Sequence, residues 1–247
     1  STPLLTLTHH YDDRSVRLML REVDSWDGCP IGLEGQQLRW VSLEQAEDLP
    51  MPAADRPIIK VMGLAPTLTA IPDPTMFASE DSFLATLASV LRTGARFVRL
   101  NMQSLGDQQA CDLAGRCAEL MQNFEVRWLL ESTPEIASRL GADGVFVSAH
   151  RLQDVRSSPL PDHFLMAVQC STRDDLVAAG RAGADFAVLE SKDSETADTS
   201  RSDWSKCSAL IADSPVPVFI TTSSARAHLA EVRALGAYGL CTRVLSK

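Results

Sequence analysis

Residues 173–189, RDDLVAAGRAGADFAVL, decide the fold. A helical pattern over 173–182 stops at Gly183, and a short apolar run begins at Phe186. Glycine supplies the left-handed conformation that ends many helices, and the alanine after it lets the connection pass close beneath a sheet. The same glycine-alanine step recurs at Gly94-Ala95, Gly141-Ala142 and Gly236-Ala237. This repeated order predicts parallel strands joined by crossover helices.

Eight such strands can be counted after residue 63. A doubly wound open sheet shows the same alternation, but the GxGxxG loop that often follows its first strand is missing here. Eight units in a stretch of this length therefore favour a TIM-type β/α barrel. The strands are predicted over 67–71, 97–101, 127–130, 144–147, 165–169, 186–189, 218–221 and 239–242. The helices are predicted over 80–93, 108–122, 134–140, 173–182, 202–211 and 225–235, with a turn at 152–155.

The first 63 residues have a different pattern. Strands predicted over 4–8, 16–23 and 38–41, followed by a short acidic helix, indicate a β-rich unit. A proline-rich stretch over 49–57 then indicates a boundary. We expect one domain over 1–63 and a second, the barrel, over 64–247. Because a small β-rich unit leaves strand edges unpaired, we expect it to pack on the barrel or to form a homodimer with a second copy.

Charge and composition exclude several classes of function. The formal net charge of −9, with no local cluster of lysine and arginine, argues against a nucleic-acid partner. No apolar run approaches the roughly 20 residues of a membrane span, and the first residues do not resemble a secretory signal. We therefore expect a cytoplasmic protein without a membrane partner. The six cysteines form no CxxC pair, so we expect no metal-binding residues and no disulfide framework.

Five short stretches in residues 2–62 form a recognisable set. They are His9-His10-Tyr11, Trp26-Asp27-Gly28, Glu34-Gly35-Gln36, Leu38-Arg39-Trp40-Val41 and Pro52-Ala53-Ala54-Asp55-Arg56-Pro57-Ile58-Ile59. Together they resemble the C-terminal half of the Nudix pyrophosphohydrolases that cleanse 8-oxo-dGTP. The Nudix box, whose glutamates hold the catalytic magnesium, is absent from these 247 residues, so the chain should not be a Nudix hydrolase. Asp55 falls where that family reads the base, although a helix N-cap is the simpler role.

A second set of short stretches spreads over residues 64–247. It consists of Gly141-Ala142-Asp143-Gly144-Val145, Gly183-Ala184-Asp185-Phe186, Val216-Pro217-Val218 and Gly236-Ala237-Tyr238-Gly239. These stretches resemble thiamine-phosphate synthase, whose domain follows a Nudix domain in some bacterial proteins. The resemblance implies a reaction that joins a pyrimidine diphosphate to a thiazole phosphate, assisted by magnesium. That chemistry needs carboxylates for the metal and cations for the leaving diphosphate.

The functional positions of that family carry other residue types here. Asn101 and Gln103 replace an arginine and a lysine, and Arg151 replaces a metal-binding aspartate. Glu131-Ser132 replaces an Asn-Asp pair, so Glu131 is either a displaced metal ligand or part of a salt bridge at the rim. Glu190 would oppose the diphosphate. The equivalent rim positions, in which we place any catalytic group, are Arg99, Asn101, Gln103, Glu131, Ser132, Arg151, Gln169 and Glu190.

One anion site could survive after the seventh and eighth strands. There the double glycine of the family is replaced by hydroxyl residues, which either donate to phosphate or simply cap the next helix. A small phosphorylated ligand is the partner that such a site would bind. The predicted phosphate-binding residues are Thr222, Ser223, Ser224 and Arg243.

Three hypotheses of function follow. The first is a degenerate synthase-like barrel without activity and without a cofactor, which binds a phosphorylated ligand or has a structural or regulatory role. The second is an active thiamine-phosphate synthase that uses Mg with Glu131, and Arg99, Arg151 or Arg243 for the phosphates. The third is an accessory part of a Nudix pyrophosphohydrolase whose catalytic half lies upstream.

Overall fold

The strands after residue 66 are apolar on both faces, as strands between a packed interior and a layer of helices must be. The computed structural model describes residues 1–52, 54–152, 164–190, 201–222 and 229–244, without the side chains of residues 44, 47 and 201–206. Within them, an antiparallel pair of strands precedes a set of parallel ones. The strands are β1 (Thr2–His10), β2 (Ser15–Glu22), β3 (Thr67–Ile71), β4 (Phe97–Asn101), β5 (Arg127–Glu131), β6 (Gly144–Ser148), β7 (Leu165–Cys170), β8 (Phe186–Leu189), β9 (Val218–Thr222) and β10 (Gly239–Arg243).

The parallel strands close into a barrel in the order β10-β3-β4-β5-β6-β7-β8-β9. Closure occurs between β10 and β3, where Thr242 lies opposite Thr69. All the strands predicted after residue 63 are present, and their ends differ from the predictions by no more than one residue. The eight-stranded β/α barrel is therefore confirmed.

Helices connect the strands, and local capping explains where they begin and end. The clearest example is α6, where Thr172 and Asp175 form a reciprocal capping box and Gly183 ends the helix at φ +80°. Residues 225–228 of the last predicted helix, and residues 153–155 of the predicted turn, lie outside the described residues. The helices are α1 (Leu43–Glu47), α2 (Arg56–Met62), α3 (Glu80–Arg92), α4 (Asp107–Met121), α5 (Pro134–Arg139), α6 (Arg173–Ala182), α7 (Arg201–Ala212) and α8 (Leu229–Ala234).

Aromatic side chains fill the lower interior of the barrel. The rings of Phe97, Phe186 and Phe219 are all buried, and their centroids lie 4.9–6.2 Å from one another. Side chains alternate along a strand, so a residue two positions beyond an inward-facing residue also points inward. Arg99 follows Phe97 in this way, and Glu131 follows the buried Leu129. The sequences of β4 and β5 thus bring polar groups to the upper interior.

The N-terminal hairpin closes the opposite end of the barrel. Leu4, Leu5 and Leu7 of β1 are buried in the same apolar cluster as the interior phenylalanines. One edge of β1 pairs with β2, and on the other edge Thr6 N donates to Gly236 O at 2.7 Å. The hairpin therefore packs on the barrel, which is one of the two arrangements expected. The homodimer and the domain boundary at residue 63 remain predictions.

One expectation for the N-terminal segment is wrong, and another is confirmed only in part. No strand forms over 38–41, because no neighbouring strand offers hydrogen bonds to that stretch in the described part of the chain. Asp55 stands at the N-cap position of α2 but makes no capping hydrogen bond, since its backbone is already helical at φ −90° and ψ −24°. Large apolar side chains in this region are more than half exposed; they are Val23, Trp26, Ile31, Leu33, Leu38 and Trp40.

None of the helices in the described ranges combines the length and the apolar character of a membrane span.

Truncation of Leu7 tests whether the hairpin shares the core of the barrel. Leu7 is 0% exposed, so Leu7→Ala should lower the free energy of unfolding by about 2–5 kcal/mol, measured by urea denaturation. Met19→Ala on the adjacent strand is the matched control, because Met19 is 75% exposed and its truncation should change stability by less than about 0.5 kcal/mol. Equal midpoints for the two variants would show that the hairpin folds apart from the barrel.

Candidate functional site

Five polar side chains meet at the C-terminal ends of the barrel strands, the end at which barrels of this type carry their sites. We call them the mouth cluster: Arg99 of β4, Glu131 of β5, Gln169 of β7, Glu190 directly after β8, and Arg243 of β10. All five were among the candidate residues predicted from the sequence. Their mutual contacts decide what the site can do.

Arg99 and Glu131 form a buried ion pair. The Nε and Nη2 atoms of Arg99 donate to Oε2 of Glu131 at 3.1 and 2.7 Å. The two residues are 9% and 6% exposed. The guanidinium carbon of Arg99 also lies 3.7 Å from the centroid of the Phe146 ring, which adds a cation–π contact. Of the two roles considered for Glu131, the structure shows the salt bridge.

Glu190 joins the second half of the mouth cluster. It accepts hydrogen bonds from Arg243 Nη2 at 2.9 Å and from Gln169 Nε2. Its carboxylate also lies 3.8 Å from Arg99 Nη1. Because β4 and β8 are four strands apart in a ring of eight, this contact crosses the interior of the barrel. Two cations and two carboxylates thus neutralise one another across the mouth.

Other predicted rim residues have different surroundings. Asn101 Oδ1 accepts from the backbone N of Gln103 at 3.0 Å, which turns the chain as it leaves β4, and Gln103 itself is exposed. Ser132 is half-buried just beyond β5, and Arg151 ends the 3-10 turn Ala149–Arg151 after β6. Among the described residues, no hydrogen bond joins Asn101 or Gln103 to the mouth cluster.

The structure describes two of the four predicted phosphate-binding residues, Thr222 and Arg243. Thr222 is buried and belongs to the row of β9 that faces the helices, together with Val218 and Ile220. The inward-facing hydroxyl residue is Thr221, two positions after Phe219, and strand alternation could have identified it. Ser223 and Ser224 lie outside the described residues. Arg243 is at the mouth, where its side chain is 41% exposed and bound to Glu190.

Asp73, just after β3, is a rim carboxylate that the sequence analysis missed. It accepts from Thr75 N at 2.9 Å, from Thr75 Oγ1 at 2.7 Å and from the Ser104 hydroxyl. Partial burial raises the pKa of Asp73, but the hydrogen bonds from Ser104 and Thr75 outweigh that effect and leave the pKa below its usual value. Asp73 thus ties the loop after β3 to the loop after β4.

Comparison with known proteins identifies the family of this barrel. The family model described as thiamine monophosphate synthase matches residues 68–244, which include the whole mouth cluster. The chain belongs to the thiamine monophosphate synthase family. The match begins at β3 and ends just after β10, so it covers the barrel and leaves the N-terminal hairpin outside.

Two curated proteins resemble the chain in sequence. It is 27% identical over 124 residues to "Putative thiamine-phosphate synthase 2" of Aquifex aeolicus. This match covers 50% of this chain and 66% of that protein, so the chain spans just under two thirds of the relative's length. It is 28% identical over 161 residues to "Putative thiamine-phosphate synthase" of Geobacter sulfurreducens, covering 64% of this chain and 76% of that protein.

Solved structures share the fold. A thiamine phosphate pyrophosphorylase from Pyrococcus furiosus superposes with a TM-score of 0.57 at 13% identity, over 72% of this chain and 85% of that one. A mutant tryptophan synthase α-subunit from the same organism superposes with a TM-score of 0.56 at 12% identity, over 72% and 86%. At such identities the likeness shows the barrel alone.

The residues at the mouth do not fit the magnesium ion that the synthase reaction implies. Among the described residues, no group of three His, Cys, Asp or Glu side chains is close enough together to hold a metal ion. Glu131 and Glu190 are already bound by Arg99 and Arg243. A cation there would have to displace an arginine from each carboxylate.

Removing the partner of Arg99 tests the energetic role of the mouth cluster. Glu131→Gln removes the nearer carboxylate of a buried guanidinium and leaves only Glu190 at 3.8 Å, so the free energy of unfolding should fall by about 3–5 kcal/mol. The matched control is Glu125→Gln, because the Arg96–Glu125 pair is exposed and its loss should cost no more than about 1 kcal/mol. Urea denaturation measures both.

A double variant separates the loss of the pair from a packing defect. Arg99→Met with Glu131→Leu removes both charges and should recover most of the stability that Glu131→Gln loses. A Glu131→Gln protein as stable as Glu125→Gln would contradict a tightly coupled pair.

The cysteines give a test by chemical labelling. Burial raises the pKa of Cys170 and of Cys117 to about 12, and that of Cys241 to about 11, so these thiols stay protonated near pH 7. Cys29 is exposed. In the native protein, a maleimide should label Cys29 at pH 7 and leave Cys117, Cys170 and Cys241 unmodified until the chain unfolds, as mass spectrometry can show. Fast labelling of Cys170 in the folded protein would contradict this burial.

Proposed function

We propose that this chain is a member of the thiamine monophosphate synthase family without synthase activity. The observation that carries the proposal is the mutual neutralisation of the mouth cluster, in which Arg99 pairs with Glu131 and Arg243 pairs with Glu190. A cation that stabilises a leaving diphosphate must present unpaired donors to it. Both arginines of the mouth cluster already bind carboxylates of the chain itself.

The size of the expected loss supports the same conclusion. One preorganised electrostatic group typically contributes about 3 kcal/mol to the transition state. Asn101 and Gln103 lack the positive charges of the family, and Arg151 stands in place of a metal-binding carboxylate. Even with strong non-additivity, the summed loss exceeds what a working synthase could sustain.

Binding of a small phosphorylated ligand is the activity that the mouth could retain. Arg243 is 41% exposed, and its partner Glu190 is the group with which an incoming phosphate would compete. Affinity should therefore be weak in the native chain. Replacement of Glu190 by a neutral residue should strengthen it, because Arg243 then has no carboxylate to release.

The experiment combines a turnover assay with a binding assay. The protein is incubated with the pyrimidine diphosphate, the thiazole phosphate and magnesium, and thiamine phosphate is measured against an active synthase; no product is expected. Binding of inorganic pyrophosphate to Glu190→Gln should be at least about tenfold tighter than to the native chain, measured by calorimetry. Glu119→Gln on the exposed face of α4 is the control and should not change the affinity. Sustained product formation would overturn the proposal.

An active synthase with an atypical site is the second candidate, and the names of the two curated relatives favour it. Glu131 would then bind magnesium, and Arg99, Arg151 or Arg243 would hold the phosphates. This mechanism requires the Arg99–Glu131 pair to open in each turnover. It predicts product formation by the native chain and none by Glu131→Gln in the same assay.

A role as the accessory part of a Nudix pyrophosphohydrolase is a third proposal, supported by the exposed apolar residues of the N-terminal segment. Trp26 and Trp40 stack at 5.3 Å on the surface, and Leu33 is more exposed than either. Such side chains are normally covered. A catalytic half that carries the Nudix box would be their partner in this proposal. Reading the gene upstream of Ser1 tests it, and absence of the box there would refute it.

A further inference from the structure

A cavity lies at the other end of the barrel from the mouth cluster. It is a cleft of about 1280 Å³ between the N-terminal segment and the side of the barrel at α6. On the barrel side it reaches Phe164 and Asp185, which immediately precede β7 and β8. The mouth cluster lies at the opposite, C-terminal ends of the strands. The cleft is therefore separate from the candidate site described above.

The cleft carries unpaired positive charge. Arg56 and Arg181 line it, both are exposed, and neither makes a hydrogen bond or an ion pair within the described ranges. Lys60 differs, because it pairs with Asp185 at 2.8 Å. Among the described lining residues, three cations (Arg56, Lys60, Arg181) face two carboxylates (Asp48, Asp185), for a formal charge of +1. This excess of positive charge among the described lining residues, in a chain of charge −9, favours an anionic ligand.

The remaining walls of the cleft are largely apolar. Ile59, Val177 and Pro215 contribute half-buried side chains to these walls, and the buried Phe164, Met166 and Val216 lie at their base. Gly180 permits this close arrangement, since a Cβ at that position would lie 2.6 Å from Pro215 Cγ. Apolar walls with a few placed polar groups are typical of small-molecule sites.

We propose that this cleft binds a small organic anion, with a phosphate or carboxylate held by Arg56 and Arg181 and an apolar body against Ile59, Val177 and Pro215. Guanidinium groups suit both head groups, because each can accept paired hydrogen bonds. Lys60 is already bound to Asp185, so we assign the head group to Arg56 and Arg181.

The test uses 8-anilinonaphthalene-1-sulfonate, a fluorescent aromatic anion, on the full chain. Arg56→Gln with Arg181→Gln should weaken its binding by at least about tenfold. Arg92→Gln with Arg127→Gln is the matched control, because it removes the same charge from two exposed arginines that do not line the cleft. Thermal unfolding confirms that each variant is folded. The neutral dye N-phenyl-1-naphthylamine should bind both variants equally.

Competition identifies the head group. Displacement of the anionic dye by 1-naphthyl phosphate but not by 1-naphthoate indicates a phosphate site, and the reverse indicates a carboxylate site. The proposal is overturned if neither displaces the dye, if the native chain does not bind it, or if the cleft variant and the control bind it equally. Equal loss of the neutral dye in the cleft variant would also overturn it, because the change would then reflect lost apolar packing.

Discussion

A positive charge inside a β barrel must be matched within the barrel, and Arg99 imposes that constraint on this protein. Its side chain points inward from β4 and is almost entirely removed from solvent. A buried guanidinium without a carboxylate costs several kcal/mol, so the positions facing it cannot vary independently. Glu131 meets it from the neighbouring strand and Glu190 from the opposite side. Arg243 and Gln169 then complete the coordination of Glu190.

The inward-facing residues of the strands explain why the barrel interior is apolar towards the N-terminal ends of the strands and charged towards their C-terminal ends. Phe97, Phe186 and Phe219 fill the lower layer, where no polar group needs a partner. Two residues further along β4 and β9, the inward-facing residues are Arg99 and Thr221. In the upper layer, the charges of Arg99, Glu131, Glu190 and Arg243 neutralise one another.

Local signals made the fold predictable, whereas pairing between distant residues did not follow from the sequence. The bounds of α6 were predicted correctly because Thr172 and Gly183 mark its two ends. The strand over 38–41 was wrong, because apolar residues form a strand only beside a neighbour that accepts its hydrogen bonds. The Arg243–Glu190 contact depends on barrel closure, which brings together residues 53 positions apart. Alternate residues of a strand share a face, so the inward-facing Phe219 implies that Thr221, and not Thr222, also faces inward.

The position of β1 bears on where the chain could be cut. Thr6 and Thr8 donate their backbone N–H groups to Gly236 and Ser214, in the loops that lead into β10 and β9. A barrel expressed from residue 64 onward would lose both donors and would expose Leu68 and Tyr238 to water. The boundary predicted from the sequence, after residue 63, is thus a poor place to trim the gene. Material prepared that way would be prone to aggregate through its uncovered base.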